Sequence, residues 1–450
     1  MNAILPEAAQ RAVRYLDGLD GRGVAPTPEA IAGLRRLDEA LPAGPGDERE
    51  TLRLLDEIGS PATMAMAGRR FFGFVIGGAL PVSLAANWLA GAWDQNSVLY
   101  RASPATAYVE QMALRWLLDV LGLPRDCGGA FVTGATVANL CALAAARHAV
   151  STRAGWPVEA QGLFGAPPIT VIVGAEVHPS VTKSLGVLGL GRTRVVTVPA
   201  DGQGRMRTEL LPAMAGPTIV CAQVGNVNTG ACDDVAAIVR AAKPAGAWVH
   251  VDGAFGLWAA AAPTRAVLVA GMAEADSWAT DAHKWLNVPY DSGVAFVRDA
   301  RALQAAMAIT ADYLPTESEV RNPADFTPEL SRRARGVEVW AALRTLGRAG
   351  VADLIERTCG HARRFAAGLA AGGCGILNDV VLNQVLVTFG DADRTRRVID
   401  AIQRDGTLWA GVTVWQGRTA MRISVSSWAT TTEDVDRCVA TILRLAEETP

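Results

Sequence analysis

Short apolar runs alternate with longer segments of helical periodicity between residues 105 and 300. The runs are GAFVTG, PITVIVG, TRVVTVP, TIVCAQVG, AWVHVDG, ADSWATD and SGVAFVRD. Segments such as TVANLCALAAARHAV and DDVAAIVRAAKPA lie between them and carry apolar residues at helical spacing. Parallel strands that are buried on both faces read as near-continuous apolar runs. The alternation therefore predicts an α/β fold with a mainly parallel, seven-stranded sheet and helices on both of its faces.

The pattern differs at the two ends of the chain. Residues 1–60 read as helices with Pro and Gly punctuation, and residues 61–311 contain the predicted sheet. A Pro-containing stretch, DYLPTESEVRNPADFTPELS at 312–331, reads as a linker. Residues 332–450 combine long helical segments with the strand candidates VLNQVLVTF and TAMRISVSS. The sequence thus predicts a helical N-terminal segment, a large α/β domain, a linker and a smaller α+β domain.

Composition narrows the possible classes of function. The 450 residues carry a formal net charge of −3, so no basic field is present to hold nucleic acid or an anionic membrane. The seven cysteines form no CxxC pair, and their odd number argues against a disulfide framework. The five scattered histidines show no HxxxH spacing, so we expect no metal site. No signal-peptide pattern and no uncharged apolar run of about 20 residues is present. We therefore expect a soluble cytoplasmic protein.

Lysine is rare in this chain, and its placement points to chemistry. Lys183, Lys243 and Lys284 are the only lysines among 42 basic residues. Lys284 lies in WATDAHKWLNVPYDSG, between tryptophans and directly after His283. An amine, unlike a guanidinium group, can lose its proton when desolvated and then attack a carbonyl. The alternative is a surface lysine whose apolar stem is covered, and this fits poorly with the apolar neighbours. The setting predicts that Lys284 forms a Schiff base.

The first strand runs into a segment that suits a phosphate. In FVTGATVANL, the strand leads to Gly134, Ala135 and Thr136, where a helix begins. A helix N-terminus presents backbone N–H groups and the positive end of the helix dipole, and Thr136 adds a hydroxyl. An ordinary threonine cap is the alternative reading. No Walker A motif is present, because no GK[ST] follows.

Two further residues follow predicted strands and suit an aromatic ring. His178 in VGAEVHPSV is placed where an imidazole could stack on a flat ring, the alternative being a partly buried core histidine. Asp252 ends the strand in WVHVDGAFG, an expensive place for a carboxylate that has no partner. It could hold a pyridinium N–H and keep that nitrogen protonated, or it could be a turn residue. Ala254 is small enough for a ring to lie against it.

The order of these motifs resembles a known enzyme family. A phosphate-type helix start, a histidine, the motif HVDGAFG and the motif DAHKW follow one another as in the group II amino-acid decarboxylases of fold type I, which use pyridoxal 5'-phosphate (PLP). The resemblance runs from about residue 60 to the C-terminus and is closest over 130–300. It implies a homodimer with its active site at the subunit interface, interlocked by residues 1–60. It also implies that 312–331 is a mobile active-site loop.

The resemblance implies roles for individual residues around the cofactor. Lys284 would carry the internal aldimine, and Asp252 would pair with the pyridine nitrogen. His178 would stack on the ring, while Ala254 would pack on the other face. The implied contacts to the phosphate are made by Ala135, Thr136 and His283.

Other implied contacts involve the 3'-oxygen and the substrate. Asn228 in GNVNTG would contact the 3'-oxygen of the cofactor, and Arg422 would receive the α-carboxylate of the substrate with its planar fork. Phe72 would line the substrate pocket, as would Gln95 and Asn96 in GAWDQNSVLYR. Since the last two are polar, we expect the substrate to carry a polar side chain.

The implied reaction is decarboxylation of an L-amino acid through the Lys284 aldimine and a quinonoid intermediate. One departure from the family leaves alternatives open. The loop tyrosine that usually reprotonates Cα has no counterpart in TESEVRNPADFTPEL. Another PLP reaction could therefore occur on the same scaffold: carbon–carbon lysis, oxidative decarboxylation or deamination to an aldehyde, or transamination. A scaffold without activity is disfavoured because Lys284, Asp252 and His178 are all present, and a nicotinamide enzyme because no GxGxxG opens a helix after the first strand.

Overall fold

The computed structural model describes residues 4–309 and 321–450. Its contacts group into two units. The first unit comprises Met1–Gly78, His361–Leu377 and Val385–Pro450, and the second comprises Ala79–Gly360 and Asn378–Gln384. The boundaries at 60, 311 and 331 stay predictions. Residues 312–320 of the predicted loop lie outside the described residues, and within 321–331 the chain forms a short 3-10 turn at Pro323–Phe326.

Three helices open the first unit. They are α1 (Ile4–Asp17), α2 (Pro28–Gly33) and α3 (Glu48–Leu54). Helices α2 and α3 begin at side-chain caps, because Thr27 accepts a hydrogen bond from the Ala30 N–H and Asp47 accepts one from the Arg49 N–H. Arg11 on α1 pairs with Asp56 at 2.7 Å.

The second unit is built around a seven-stranded sheet. Its strands are β1 (Gly128–Val132), β2 (Thr170–Gly174), β3 (Val195–Val198), β4 (Thr218–Gln223), β5 (Trp248–Asp252), β6 (Ser277–Asp281) and β7 (Gly293–Val297). The order is β1-β7-β6-β5-β4-β2-β3. Only β7 runs against its neighbours, pairing antiparallel with β1 and with β6. The predicted mainly parallel, seven-stranded sheet is thereby confirmed.

Helices cover this sheet on both faces. The second unit contains α4 (Pro81–Trp93), α5 (Pro104–Val120), α6 (Ala135–Arg153), α7 (Val158–Gln161), α8 (Pro179–Val187), α9 (Val235–Ala242), α10 (Ala300–Met307) and the start of α11 (Gly336–Ala371). The alanine-rich face of α6 packs with α8, α10 and one face of the strands in a continuous apolar core. Helix α9 packs against β4 and β5 outside that core. Helix α11 is interrupted at Gly347, where φ is 60°.

The C-terminal part of the first unit contains a smaller sheet. Its strands are β8 (Gly375–Ile376), β9 (Gln384–Thr388), β10 (Gly411–Trp415) and β11 (Arg418–Ser424), in the order β10-β11-β9-β8. Helices α12 (Ala392–Asp405) and α13 (Thr432–Glu448) complete it. Helix α13 begins at a capping box, in which Thr431 and Asp434 each bond the backbone N–H of the other.

Within residues 4–309 and 321–450, no helix has both the length and the apolar character that crossing a bilayer requires.

Candidate active site

The carboxyl ends of β5 and β6 bring the predicted chemistry together. Asp252 is the last residue of β5, and Asp281 is the last residue of β6. The two strands are parallel neighbours, and Asp252 is in register with Ala279. The backbone ties the two ends to each other, since the Asp281 N–H donates to the Ala254 carbonyl at 2.8 Å. Lys284 follows β6 by three residues, so it lies at the edge of the sheet where α/β folds build their sites.

The Lys284 amine is held by a buried carboxylate. Its Nζ lies 3.0 Å from Asp281 Oδ2, and the Asp281 side chain is 3% exposed. Lys183 and Lys243 are both exposed, whereas Lys284 is half-buried. The next residue, Trp285, is fully buried and its indole N–H donates to Thr358 Oγ1 at 2.8 Å. The amine therefore occupies a fixed and partly desolvated position.

The start of α6 lies beside this amine. The backbone N–H of Ala135 donates to Asp281 Oδ1 at 2.6 Å, so one carboxylate contacts both the helix start and Lys284. A Cβ atom on Gly293 would lie 2.4 Å from the Gly134 Cα, and only glycine allows this approach of β7 to the loop. Thr136, in the first turn, is exposed. The first turn of α6 thus presents backbone donors and a hydroxyl, as an anion site requires.

His283 lines the same helix start. Its Cε1 would be 3.3 Å from a Cβ atom on Gly134, and its Nε2 lies 3.6 Å from Asp281 Oδ1. The Nδ1 atom accepts the Ser292 N–H at 3.0 Å, so in the neutral ring the proton sits on Nε2. The ring stacks on Tyr290 with centroids 4.3 Å apart. Burial lowers the pKa of His283. The structure thus brings together Ala135, His283 and Lys284, three of the predicted cofactor residues.

Asp252 is a buried carboxylate surrounded by neutral donors. It is 4% exposed, and its Oδ1 accepts the Ala254 N–H at 3.3 Å. Its Oδ2 accepts from Asn139 Nδ2 at 3.2 Å and from Ser180 Oγ at 3.4 Å. Burial raises the pKa of Asp252, while the nearby His178 and Lys284 oppose that shift. A cationic ring nitrogen would offset the cost of keeping this carboxylate charged, so the site fits a pyridinium ring.

His178 lies on the same cavity as Asp252. The cavity is also lined by Val177, Val181 and Ala222. His178 caps α8: its Nδ1 accepts the Ser180 N–H at 3.2 Å and lies 2.8 Å from Ser180 Oγ. These contacts fix the orientation of the half-buried imidazole. His178 and Asp252 therefore line one cavity, and their roles toward a cofactor ring stay predictions.

The remaining predicted residues of the second unit lie in loops. Ala254 is half-buried after β5, and Asn228 is half-buried in the loop after β4, where its N–H donates to Asn226 Oδ1 at 2.9 Å. Gln95 and Asn96 are exposed after α4. The Asn96 Oδ1 accepts the Arg332 N–H at 3.0 Å, and Gln95 Nε2 donates to the Trp93 carbonyl at 2.9 Å. Their roles toward cofactor or substrate stay predictions.

Two predicted substrate residues belong to the first unit. Phe72 is 1% exposed and packs edge-on against Phe365, with ring centroids 5.1 Å apart. Its N–H donates to the Trp409 carbonyl at 2.8 Å. Arg422 lies on β11 opposite Gly411, and burial lowers its pKa. Their roles also stay predictions.

Sequence reasoning assigned no role to several residues of this site. Asp281 is part of the motif DAHKW. Its position three residues before Lys284 is a sequence signal that could have identified it as a site residue. His250 alternates with Asp252 along β5, and residues two apart on a strand share a face. Asn139 and Ser180 reach Asp252 across 113 and 72 residues of sequence, and no local pattern predicts such contacts.

Comparison with known proteins decides the family. A family model described as "Pyridoxal-dependent decarboxylase conserved domain" matches residues 34–389. The chain belongs to this family. The match confirms the predicted PLP cofactor, and with it the assignment as a PLP-dependent amino-acid carboxy-lyase.

Individual relatives of this pyridoxal-dependent decarboxylase extend along most of its length. It is 24% identical to an aromatic-L-amino-acid decarboxylase of Bacillus atrophaeus, over 98% of this chain and 94% of the relative. It is 29% identical to an L-2,4-diaminobutyrate decarboxylase of Rhizobium meliloti, over 93% and 87%. A phenylacetaldehyde synthase of Arabidopsis thaliana is 24% identical over 87% and 85%.

A solved structure confirms the fold of this decarboxylase. The crystal structure of Oryza sativa TDC with PLP and tryptamine superposes with a TM-score of 0.91. The two chains share 23% identity, and the alignment covers 100% of this chain and 99% of the other. The predicted fold type I is thus confirmed.

Proposed function

We propose that this decarboxylase acts on an L-amino acid with Lys284 as the amine that holds PLP. The observation that carries the proposal is the placement of Lys284 Nζ, 3.0 Å from the buried Asp281, beside the start of α6. The same helix start offers backbone donors and His283 for a phosphate. When bound, PLP supplies an electron sink for the bond that breaks at Cα.

The residues around Lys284 each have a definite task in this proposal. Thr136 and His283 hold the phosphate through an O–H and an N–H donor, and Ala135 lies beside it at the helix start with its own N–H donating to Asp281 Oδ1. Asp252 pairs with the ring nitrogen and keeps it protonated, because its carboxylate is buried and needs a cationic partner. His178, fixed by its bonds to Ser180, lies against the ring.

Further contacts complete the proposed site. Ala254 leaves room for the ring on its second face, and Asn228 contacts the 3'-oxygen. Gln95 and Asn96 are exposed polar residues and favour a substrate with a polar side chain.

Asp281 gives the Lys284 amine a means of handling protons. Its Oδ2 lies 3.0 Å from Nζ and can accept a hydrogen bond from it. Nζ, when it carries a proton, could deliver that proton toward the substrate, while Asp281 stays oriented by the Ala135 N–H. A second role for Asp281 is thus to link amine and helix start.

Aldehyde formation is the second candidate reaction. The match to a phenylacetaldehyde synthase shows that the family contains this outcome in a relative. The stretch TESEVRNPADFTPEL contains no tyrosine. The usual proton donor of the enzymes that this chain resembles is therefore missing from it. Without this proton donor, the substrate Cα would more readily react by a route other than reprotonation.

Product analysis tests the proposed reaction. We expect the purified protein, incubated with each of the twenty amino acids and with 2,4-diaminobutyrate, to release CO2 and the matching amine in equal amounts. Aldehyde, ammonia and peroxide in place of the amine, formed with release of CO2 and consumption of O2, would support the second reaction. If neither CO2 nor any of these products appeared with any substrate, the proposed activity would be wrong.

We also propose that the protein forms a homodimer. Helix α4 supports this, because Trp88, Leu89 and Trp93 are 41%, 56% and 46% exposed on a single helix. Large apolar side chains concentrated on one element mark interaction surfaces. A second copy of this chain is the occupant we propose for this surface.

A charge on α4 is expected to weaken this dimer. The Leu89→Glu variant should raise the dimer dissociation constant by roughly 30-fold or more, as for an interface hot spot, because a carboxylate would have to be desolvated. Analytical ultracentrifugation measures the constant. The control is Phe164→Glu. Phe164 is 98% exposed and lies far from α4 in the sequence. Equal dissociation constants for the two variants would contradict the assignment of α4.

We propose, finally, a cytoplasmic location. All seven cysteines are free thiols, and four of them (Cys141, Cys221, Cys359 and Cys438) are buried. Free thiols in such number are typical of a reducing compartment.

A further inference from the structure

A chain of buried polar side chains runs away from Asp252 into the sheet. Asn139 Oδ1 lies 2.8 Å from His250 Nε2, and His250 Nδ1 lies 3.0 Å from Ser277 Oγ. The Trp248 indole N–H donates to the same Ser277 Oγ at 2.8 Å. Asn139, His250 and Ser277 are fully buried, and Trp248 is 5% exposed. Such a polar chain in an apolar core is costly unless every member is satisfied.

The direction of each hydrogen bond follows from the groups at the two ends of this polar chain, Trp248 and Asp252. The indole N–H of Trp248 can only donate, so Ser277 Oγ accepts it; Ser277 donates its own hydrogen to His250 Nδ1 because the neutral ring, as shown next, carries its proton on Nε2. The ionised Asp252 can only accept, so Asn139 directs its Nδ2 toward it and its Oδ1 toward His250. His250 must therefore donate from Nε2. Burial lowers the pKa of His250 to about 3, so the ring is neutral and has one proton for this bond.

The strand geometry explains why these residues meet. Trp248, His250 and Asp252 alternate along β5, so all three side chains project from one face of the sheet. Helix α6 packs on that face and supplies Asn139. Ser277 begins β6, the parallel neighbour of β5, in register with His250. The chain of donors thus rests on rigid elements.

We propose that His250 is a positioning residue that, through Asn139, sets the orientation and charge of Asp252. The neutral His250 donor holds the Asn139 amide with its N–H toward the Asp252 carboxylate. The opposite orientation of the amide would place two oxygens against each other and favour a protonated Asp252. This inference rests on the proposed pairing of Asp252 with the ring nitrogen of PLP.

Substitutions can break this chain at two points. His250→Phe keeps a ring of similar size and removes the donor to Asn139. Asn139→Leu removes the amide donor to Asp252 and leaves the Ser180 hydroxyl and the Ala254 N–H in place. His250→Gln retains an N–H that can reach Asn139 and serves as the conservative variant. Val251→Ala is the matched control, because Val251 is fully buried on β5 but projects from the opposite face.

A cofactor analogue separates positioning from general destabilisation. The full chain is freed of cofactor, and the dissociation constants of PLP and of 1-deaza-PLP are measured by quenching of tryptophan fluorescence. The analogue keeps the aldehyde and phosphate but has carbon in place of the ring nitrogen. Both ligands make the same contacts with Lys284 and with the phosphate site. These contacts therefore cancel in the ratio of the two dissociation constants.

We expect wild-type protein to prefer PLP over the analogue by roughly 10- to 100-fold, the range for a hydrogen bond between charged groups. The preference should largely disappear in His250→Phe and Asn139→Leu. It should return at least in part in His250→Gln and stay unchanged in Val251→Ala. Weaker binding of both ligands at an unchanged ratio would show a merely structural role.

The possible results distinguish the inference about His250 from the proposed role of Asp252. If wild type prefers PLP and the two disrupting variants keep that preference, the inference about His250 is overturned and the proposed role of Asp252 stands. If wild type shows no preference at all, the pairing of Asp252 with the ring nitrogen fails, and the inference fails with it. Asn139→Leu does not alter β5, so it provides the test if His250→Phe does not fold.

Discussion

Replacing Lys284 with alanine is expected to lower decarboxylation by about 10⁴-fold or more, since the change removes a nucleophile and a proton carrier together. The amine is half-buried and 3.0 Å from Asp281, so no other lysine can take its place. The variant should also lose the covalent attachment of PLP. Single-turnover kinetics measure the first effect, and the mass of the protein after borohydride reduction measures the second.

The chain itself provides the controls for this experiment. Lys183→Ala and Lys243→Ala remove exposed amines from the same unit and should leave rate and attachment unchanged. A reduced protein that still carries the mass of PLP after Lys284→Ala would show that another group holds the cofactor. The assignment of Lys284 would then be wrong, whatever the residual rate.

Replacing Asp252 with asparagine is expected to lower kcat by about 10²- to 10³-fold, the usual cost of losing one preorganised electrostatic contact in a site. Asparagine preserves the shape of the side chain but removes the charge that, in the proposed site, keeps the ring nitrogen protonated. The hydrogen bond from Asn139 would meet a neutral group, and one amide would have to reorient. Steady-state kinetics with the best substrate measure kcat.

The control for this substitution is Asp299→Asn. Asp299 is exposed and caps α10 through the Arg301 N–H at 3.0 Å, and asparagine caps a helix equally well. We expect no change in kcat for this variant. A kcat within about threefold of wild type for Asp252→Asn would mean that the carboxylate contributes no useful charge, because such a ratio is less than a single ordinary hydrogen bond provides.

Periodicity predicted the sheet well, because most of the strands are buried on both faces and therefore read as near-continuous apolar runs, although β3 is partly exposed. The same reading located Asp252 and Lys284 at strand ends, since a charged residue directly after such a run has few structural explanations. Strand bounds were less accurate in the C-terminal region. The candidate VLNQVLVTF begins at 381, whereas β9 begins at Gln384.

The polar contacts behind Asp252 could not be predicted in the same way. Asn139 lies in an alanine-rich helix whose rotation about its axis decides whether the amide faces the sheet or a neighbouring helix. His250 shares a face with Asp252, but an apolar sheet contains many such pairs. Only the packing of α6 on β5 and β6 selects these partners, and that packing depends on the whole core.

The distribution of lysines has a practical consequence. Two of the three ε-amines project into solvent on the second unit, and the third is engaged with Asp281. Reagents such as succinimidyl esters would therefore attach dyes or tethers at Lys183 and Lys243 first. A protein immobilised in this way would present the Lys284 nitrogen unmodified, so that surface-bound measurements of cofactor exchange become feasible.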